Sequence, residues 1–224
     1  MKLFKNTVGR KVLMSCTGLL MIFFVIIHLL GNASVFAGPA AINAWAAKIH
    51  SLTLLLWLFR TAMFIVLSLH IYLGTLLTFE NRAAKSGTYA GRKTLRSTFA
   101  GRYMIWTGVL TGVYLVYHIL HFTAHLISPE LSSAVNIDKM GRPDVFIMMM
   151  LNFRNAVVSL VYISAMVALA LHLTHGIQSF FQTLGLNNDN TFPVVIKAGA
   201  IAAVIIFLGY ISIPISIFSG MLRW

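Results

Sequence analysis

The chain has 224 residues, of which 58% are hydrophobic and 10% charged, and its 17 Lys and Arg against five Asp and Glu give a formal net charge of +12. So little polar surface cannot cover so much apolar side chain, which excludes a water-soluble domain. The single cysteine, Cys16, excludes an internal disulfide, an iron–sulfur cage and the C-x-x-C-H attachment of a c-type haem.

Taken in chain order, five long stretches stand out. The first follows Lys2, Lys5, Arg10 and Lys11 and predicts a helix over 12–37; it is too long for a signal peptide and carries His28 and Asn32. Gly38-Pro39 marks a loop, and a second helix is predicted over 50–79, with Arg60 and His70. A third follows over 102–127 with His118, and a fourth over 148–182, beginning at Met148, Met149 and Met150 and carrying His172. The fifth, over 194–221, has Pro214 and no histidine. Each exceeds the roughly 20 residues that cross a hydrocarbon layer. The fold class is therefore an all-α integral membrane protein in one membrane domain, 1–224, with helices one to four as a bundle and the fifth packed beside it.

Lys and Arg set the orientation. The N-terminal tail and the segment between the second and third helices (Arg82, Lys85, Arg92, Lys93, Arg96 and Arg102) carry the excess, whereas Lys48, the mixed segment 130–154 and Arg223 fall on the other side. The N-terminus is thus expected in the cytoplasm and the C-terminus outside, as in a bacterial inner-membrane protein. The basic face suits anionic lipid or an acidic partner protein. Nucleic acid is not an expected partner, because no aromatic-interleaved soluble domain exists to bind it.

His28, His70, His118 and His172 lie one in each of the first four helices. An ionisable residue in a membrane segment is costly and points to function. Helix rise places His28 about 26 Å from Lys11 and His118 about 24 Å from Arg102, with His70 and His172 each about 15 Å from the cytoplasmic ends of their helices. The four resolve into two pairs, His28 with His118 and His70 with His172, on the order of 10 Å apart along the membrane normal. Two bis-histidine haems need this arrangement. Gly74 and Gly176 follow His70 and His172 by four positions, and Gly31 follows His28 by three, as room for a porphyrin face; Gly108 and Gly112 read as close helix packing. A non-haem centre built from His118, His121, His125, His172 and His175 is the competing reading, and it lacks any carboxylate ligand in the membrane. A transporter using its histidines as a proton relay is a third.

Ile27-His28-Leu29-Leu30, Ser68-Leu69-His70-Ile71-Tyr72-Leu73-Gly74, Val116-Tyr117-His118 and Leu171-His172-Leu173-Thr174-His175-Gly176-Ile177-Gln178-Ser179-Phe180 resemble the ligand segments of the dihaem cytochrome b anchors of succinate:quinone oxidoreductases and quinol:fumarate reductases. The resemblance covers nearly the whole chain. It implies two b haems with His28 and His118, and His70 and His172, as axial ligands, and a quinone, menaquinone in expectation. It also implies a flavoprotein subunit and an iron–sulfur subunit docked on the cytoplasmic face, with the dicarboxylate chemistry on those partners and none on this chain. The assembly would be a heterotrimer, with a dimer of heterotrimers compatible with the free face of helix five. Ser15, Arg60, Arg102 and Arg154 are candidate partners of haem propionates by charge or hydroxyl. Trp45, His50, His121, His125 and Glu130 are candidates for the quinone site. Some family members carry a glutamate two positions before the fourth ligand as a proton path; here that position is Ala170. An anchor of another respiratory dehydrogenase, a hydrogenase or formate dehydrogenase, is the alternative.

Overall fold

The computed structural model describes residues 4, 6–84 and 99–223, so Lys2, Lys5, Lys85, Arg92, Lys93 and Arg96 of the basic segments lie outside the described residues. Helix α1 (Thr7–Ala33) opens where Asn6 Oδ1 accepts the Gly9 N–H at 2.6 Å, satisfying one of the helix's orphan donors, and it runs into a 3₁₀ turn over Ser34–Ala37. Gly38, at φ +92°, turns the chain, and Pro39 opens α2 (Pro39–Ser51). Then come α3 (Thr53–Ala83), α4 (Phe99–Arg102), α5 (Met104–His118), α6 (Val145–Phe153), α7 (Ala156–Thr183) and α8 (Phe192–Phe218).

Among the described residues five spans are long and apolar enough to cross a membrane: Thr7–Ala37, Thr53–Ala83, Met104–Thr123, Ala156–Thr183 and Phe192–Phe218. Their boundaries depart from the sequence expectation, the fifth running Phe192–Phe218 rather than 194–221. The first span starts at Thr7 rather than 12, because the Asn6 cap draws Arg10 and Lys11 into the helix. The second starts at Thr53 rather than 50, because 39–51 form a separate helix that ends at Leu52. The α-helical part of the third ends at His118, passes into a π-turn over Ile119–Thr123 and stops before His125, whose φ of +54° breaks the helix short of 127. The expected fourth helix, 148–182, is two helices. Asp144 Oδ1 caps α6 at Ile147 and Asn155 Oδ1 caps α7 at Val157 and Val158, so Met148, Met149 and Met150 belong to α6 and not to the span.

α1 packs on α3 and α7, α5 on α7, and α8 on α7 and α1, giving the four-helix bundle with a fifth helix beside it. The Arg10–Glu80 ion pair, 2.8 Å, ties the start of α1 to the end of α3. At the opposite end α2 and α6 lie across the bundle, and Val35, Ile42, Phe146, Met150, Phe153 and Tyr162 form the largest core beneath them. Outward-facing side chains are apolar: Leu54 is 75% exposed and Phe64 70%. Lipid, not water, suits such a surface.

Candidate functional site

Two histidine pairs face each other inside the bundle. The rings of His70 (α3) and His172 (α7) have centroids 6.3 Å apart, and those of His28 (α1) and His118 (α5) 5.8 Å apart. Two imidazoles on opposite sides of one metal, each at a bond of about 2 Å, have centroids about 6 Å apart. The interplanar angles are 67° and 86°.

The first pair rests on a matched device. Thr17 Oγ1 donates to the Met14 carbonyl at 2.9 Å, so its lone pairs are free to accept the Nδ1–H of His70 at 3.1 Å. Thr107 Oγ1 donates to the Met104 carbonyl at 3.0 Å and accepts from His172 Nδ1 at 3.4 Å. With the proton assigned to Nδ1 by this network, Nε2 of each ring is the bare nitrogen. His70 Nε2 is buried with no hydrogen-bond partner, an orphan that a metal bond would satisfy. Beside each threonine is a glycine: a Cβ on Gly18 would stand 3.3 Å from His70 Cε1, and one on Gly108 3.2 Å from His172 Cε1. The two helices carry the same pattern, T-G-x-L-x₇-H, as Thr17-Gly18…His28 and Thr107-Gly108…His118.

The levels of the pairs follow from it. From Thr17 to His28 and from Thr107 to His118 are eleven residues each, so the pairs are separated by about 16 Å of helix rather than about 10 Å.

Compared with known protein families, with curated proteins and with solved structures, the chain matches none. The site therefore has to be read from its own geometry.

The glycines expected to make room for a porphyrin divide. Gly74 seats the Met14 side chain, and the Trp45 indole lies where a Cβ on Gly31 would stand, so neither opens space beside its histidine. Gly176 and Gly112 have no heavy atom within 4 Å of an added Cβ and are open. Gly108 is not simple helix packing but the seat of His172. The glycines that touch the histidine rings themselves are Gly18 and Gly108.

The expected propionate partners are scattered. Ser15 is half-buried near the start of α1, and Arg102 is exposed at the end of α4. Arg154 is exposed at the other end of the bundle, at the C-terminus of α6. Arg60 lies 5.1 Å over the ring of Trp57, whose π face offsets part of the cost of a charge in a membrane helix.

The quinone candidates do not gather either. His121 is 3% exposed, with Nδ1 on the Tyr162 hydroxyl at 3.1 Å and Nε2 on Asn152 Oδ1 at 2.7 Å; both nitrogens are spoken for, which removes it as a free donor to a quinone. Trp45, His50 and Glu130 are exposed, and no hydrogen bond or ion pair among the described residues joins them to one another or to His125. His125 is half-buried, at φ +54°, with a buried Nδ1 that has no partner. Among the described residues no three His, Cys, Asp or Glu side chains are placed to hold one ion, so the five-histidine non-haem centre does not form.

Thr17, Gly18, Thr107 and, except as a packing residue, Gly108 were not singled out from the sequence, nor were Tyr162 and Asn152. A search for internal repeats would have found the first four through T-G-x-L-x₇-H. Nothing local marks Tyr162 or Asn152.

Proposed function

We propose that this chain is the dihaem cytochrome b membrane anchor of a succinate:quinone oxidoreductase or quinol:fumarate reductase, passing electrons between an iron–sulfur subunit and a membrane quinone. The facing pairs at 6.3 and 5.8 Å, with Nδ1 of His70, His172 and His118 engaged and Nε2 of His70 orphaned, are the observation that carries it. His70 and His172 would hold one haem b, and His28 and His118 the other. Each haem would supply one-electron redox chemistry when bound.

The residues of the chain do the rest. The Thr-Gly seats hold His70 and His172 in the ligating tautomer before any cofactor arrives, so little orientation has to be found on binding. The apolar shell of the bundle excludes water from both pairs. Arg10, Lys11, Arg82 and Arg102 lie at the end of the bundle nearest His70 and His172 and suit an acidic iron–sulfur partner on the cytoplasmic side of a bacterial inner membrane. His70 and His172 would hold the haem nearer that partner and His28 and His118 the haem nearer the outer surface, where His125 has an unengaged ring nitrogen for a menaquinone. With Ala170 at the position of the family's glutamate, no proton path of that type accompanies the electron flow.

A reduced-minus-oxidised spectrum of the detergent-extracted protein tests this, with haem quantified per chain. A b-type band at two haems per chain is expected, and succinate should reduce it when flavoprotein and iron–sulfur subunits copurify. No haem band overturns the proposal; haem without such partners moves the anchor to another dehydrogenase.

A further inference from the structure

The second pair has a support that the first lacks, and its direction can be worked out atom by atom. Asn152 Nδ2 lies 2.9 Å from the Met148 carbonyl oxygen, which only accepts, so the amide nitrogen faces Met148 and the Oδ1 faces His121. Oδ1 also only accepts, and it is 2.7 Å from His121 Nε2, so a neutral His121 carries its proton on Nε2. His121 Nδ1 is then an acceptor, and its partner at 3.1 Å, the Tyr162 hydroxyl, donates to it. The phenol oxygen is left to accept from His118 Nδ1 at 3.4 Å. Four hydrogen bonds point the same way, from His118 to Met148, and they leave Nε2 of His118 bare. Tyr162 is 6% exposed, and His121 and Asn152 are 3% each, so water does not substitute for any link. The Tyr162 ring is wedged against Phe153 at 5.0 Å and Phe122 at 5.5 Å, which holds the hydroxyl in place.

We propose that Tyr162, held by His121 and Asn152, is the positioning residue that locks the His118 imidazole in its ligating tautomer and ring orientation, and so sets the potential of the haem at that pair. The proposal rests on the reading of His118 as an axial ligand. Accepting a hydrogen bond from Nδ1–H makes an imidazole a more basic ligand. A more basic ligand stabilises the ferric over the ferrous state, so breaking the relay should raise the midpoint potential of that haem. It should also free the ring to turn, and the low-spin ferric resonance depends on the angle between the two imidazole planes.

The test is Tyr162→Phe in the full-length protein, which removes one hydroxyl and keeps the packed ring, read by redox titration and by electron paramagnetic resonance of the oxidised protein. His70→Ala supplies a background in which only the haem of His28 and His118 remains. Retention of haem, an upward shift of that midpoint and a displaced resonance are expected, with the haem of His70 and His172 unmoved in the otherwise wild-type chain. Asn152→Leu, close in shape, should move the same haem the same way by a smaller amount, and it stands in if Tyr162→Phe does not fold. Unchanged midpoint and resonance with haem bound, or a shift confined to the other haem, overturns the relay. A wild-type chain that binds no haem overturns the anchor reading first, before any variant is compared.

Discussion

The two histidine pairs are held by different means. His70 and His172 each lie on a Thr-Gly step of the preceding bundle helix, a hydroxyl for Nδ1 and a missing side chain for the ring. His28 and His118 lie instead among aromatic rings: Phe24 at 5.3 Å and Tyr210 at 6.5 Å around His28, and Tyr114, Phe122 and Tyr162 at 5.9 Å each around His118. The first device needs two residues of a neighbouring helix. The second draws on α6, α7 and α8 and on the cap formed by α2. One kind of side chain can therefore be oriented by a short local pattern or by a rigid aromatic core, and the second couples the site to the stability of one end of the molecule.

The sharpest break between the pairs is ligand removal. His70→Ala and His118→Ala should each lower the haem content from two per chain to one, measured by haem extraction. Loss of both haems from either variant would mean that the pairs are not independent.

Asn43 tests the dependence of the second pair on its cap. Asn43 is 1% exposed; its Nδ2 donates to Asp144 Oδ1 at 3.0 Å and its Oδ1 accepts the Phe146 N–H at 3.0 Å, binding α2 to α6. Asn43→Leu leaves a buried carboxylate and a buried N–H each short of a partner, costing about 2–3 kcal/mol. A fall in thermal stability in detergent, with the haem of His28 and His118 released before the other on heating, is expected; simultaneous release would dissolve the distinction.

Thr17→Val keeps the shape of the first seat and removes its acceptor. Affinity for the haem at His70 and His172 should fall about 10-fold, the lower end of the range for losing a supporting hydrogen bond. Titration of apoprotein with hemin reads this, and the other pair should bind as before.

The smallest effect lies at Asp138, in the loop beneath the cap. The Arg142 guanidinium, 2.7 Å away, together with the Arg142 and Met140 backbone N–H groups, holds its carboxyl down at about 2. Because the folded pKa is depressed, the carboxylate's stabilisation is complete above the unfolded value of about 3.9 and is lost as pH falls towards about 2. Asp138→Asn should therefore lower the melting temperature slightly at pH 7 and by less at pH 3, where part of the stabilisation is already lost. An equal drop at both values would show that the charge is not what matters.

Much of this was legible in the chain. The five spans follow from apolar length, and the pairing of His28 with His118 and of His70 with His172 was expected from helix rise alone; the rings do face each other in those pairs. Helix ends were less legible, because caps such as Asn6, Asp144 and Asn155 decide them and each is a single polar residue that reads equally well as loop. The room beside each glycine was less legible for a related reason. Gly74 and Gly176 share an offset from their histidines, but a glycine makes room on the face where its own helix meets another, and that face was set by Met14 in one case and by open space in the other.

Sequence by itself determined the solvent this protein requires, the number of its spans and the four histidines that can share a bundle, because apolar run length and helix rise are one-dimensional quantities. Tertiary structure alone decided which neighbours hold those histidines: Thr17 and Gly18 under His70, Thr107 and Gly108 under His172, and Tyr162, His121 and Asn152 behind His118. Those contacts join residues 31 to 65 positions apart, and their geometry depends on how the helices rotate about their axes when they pack.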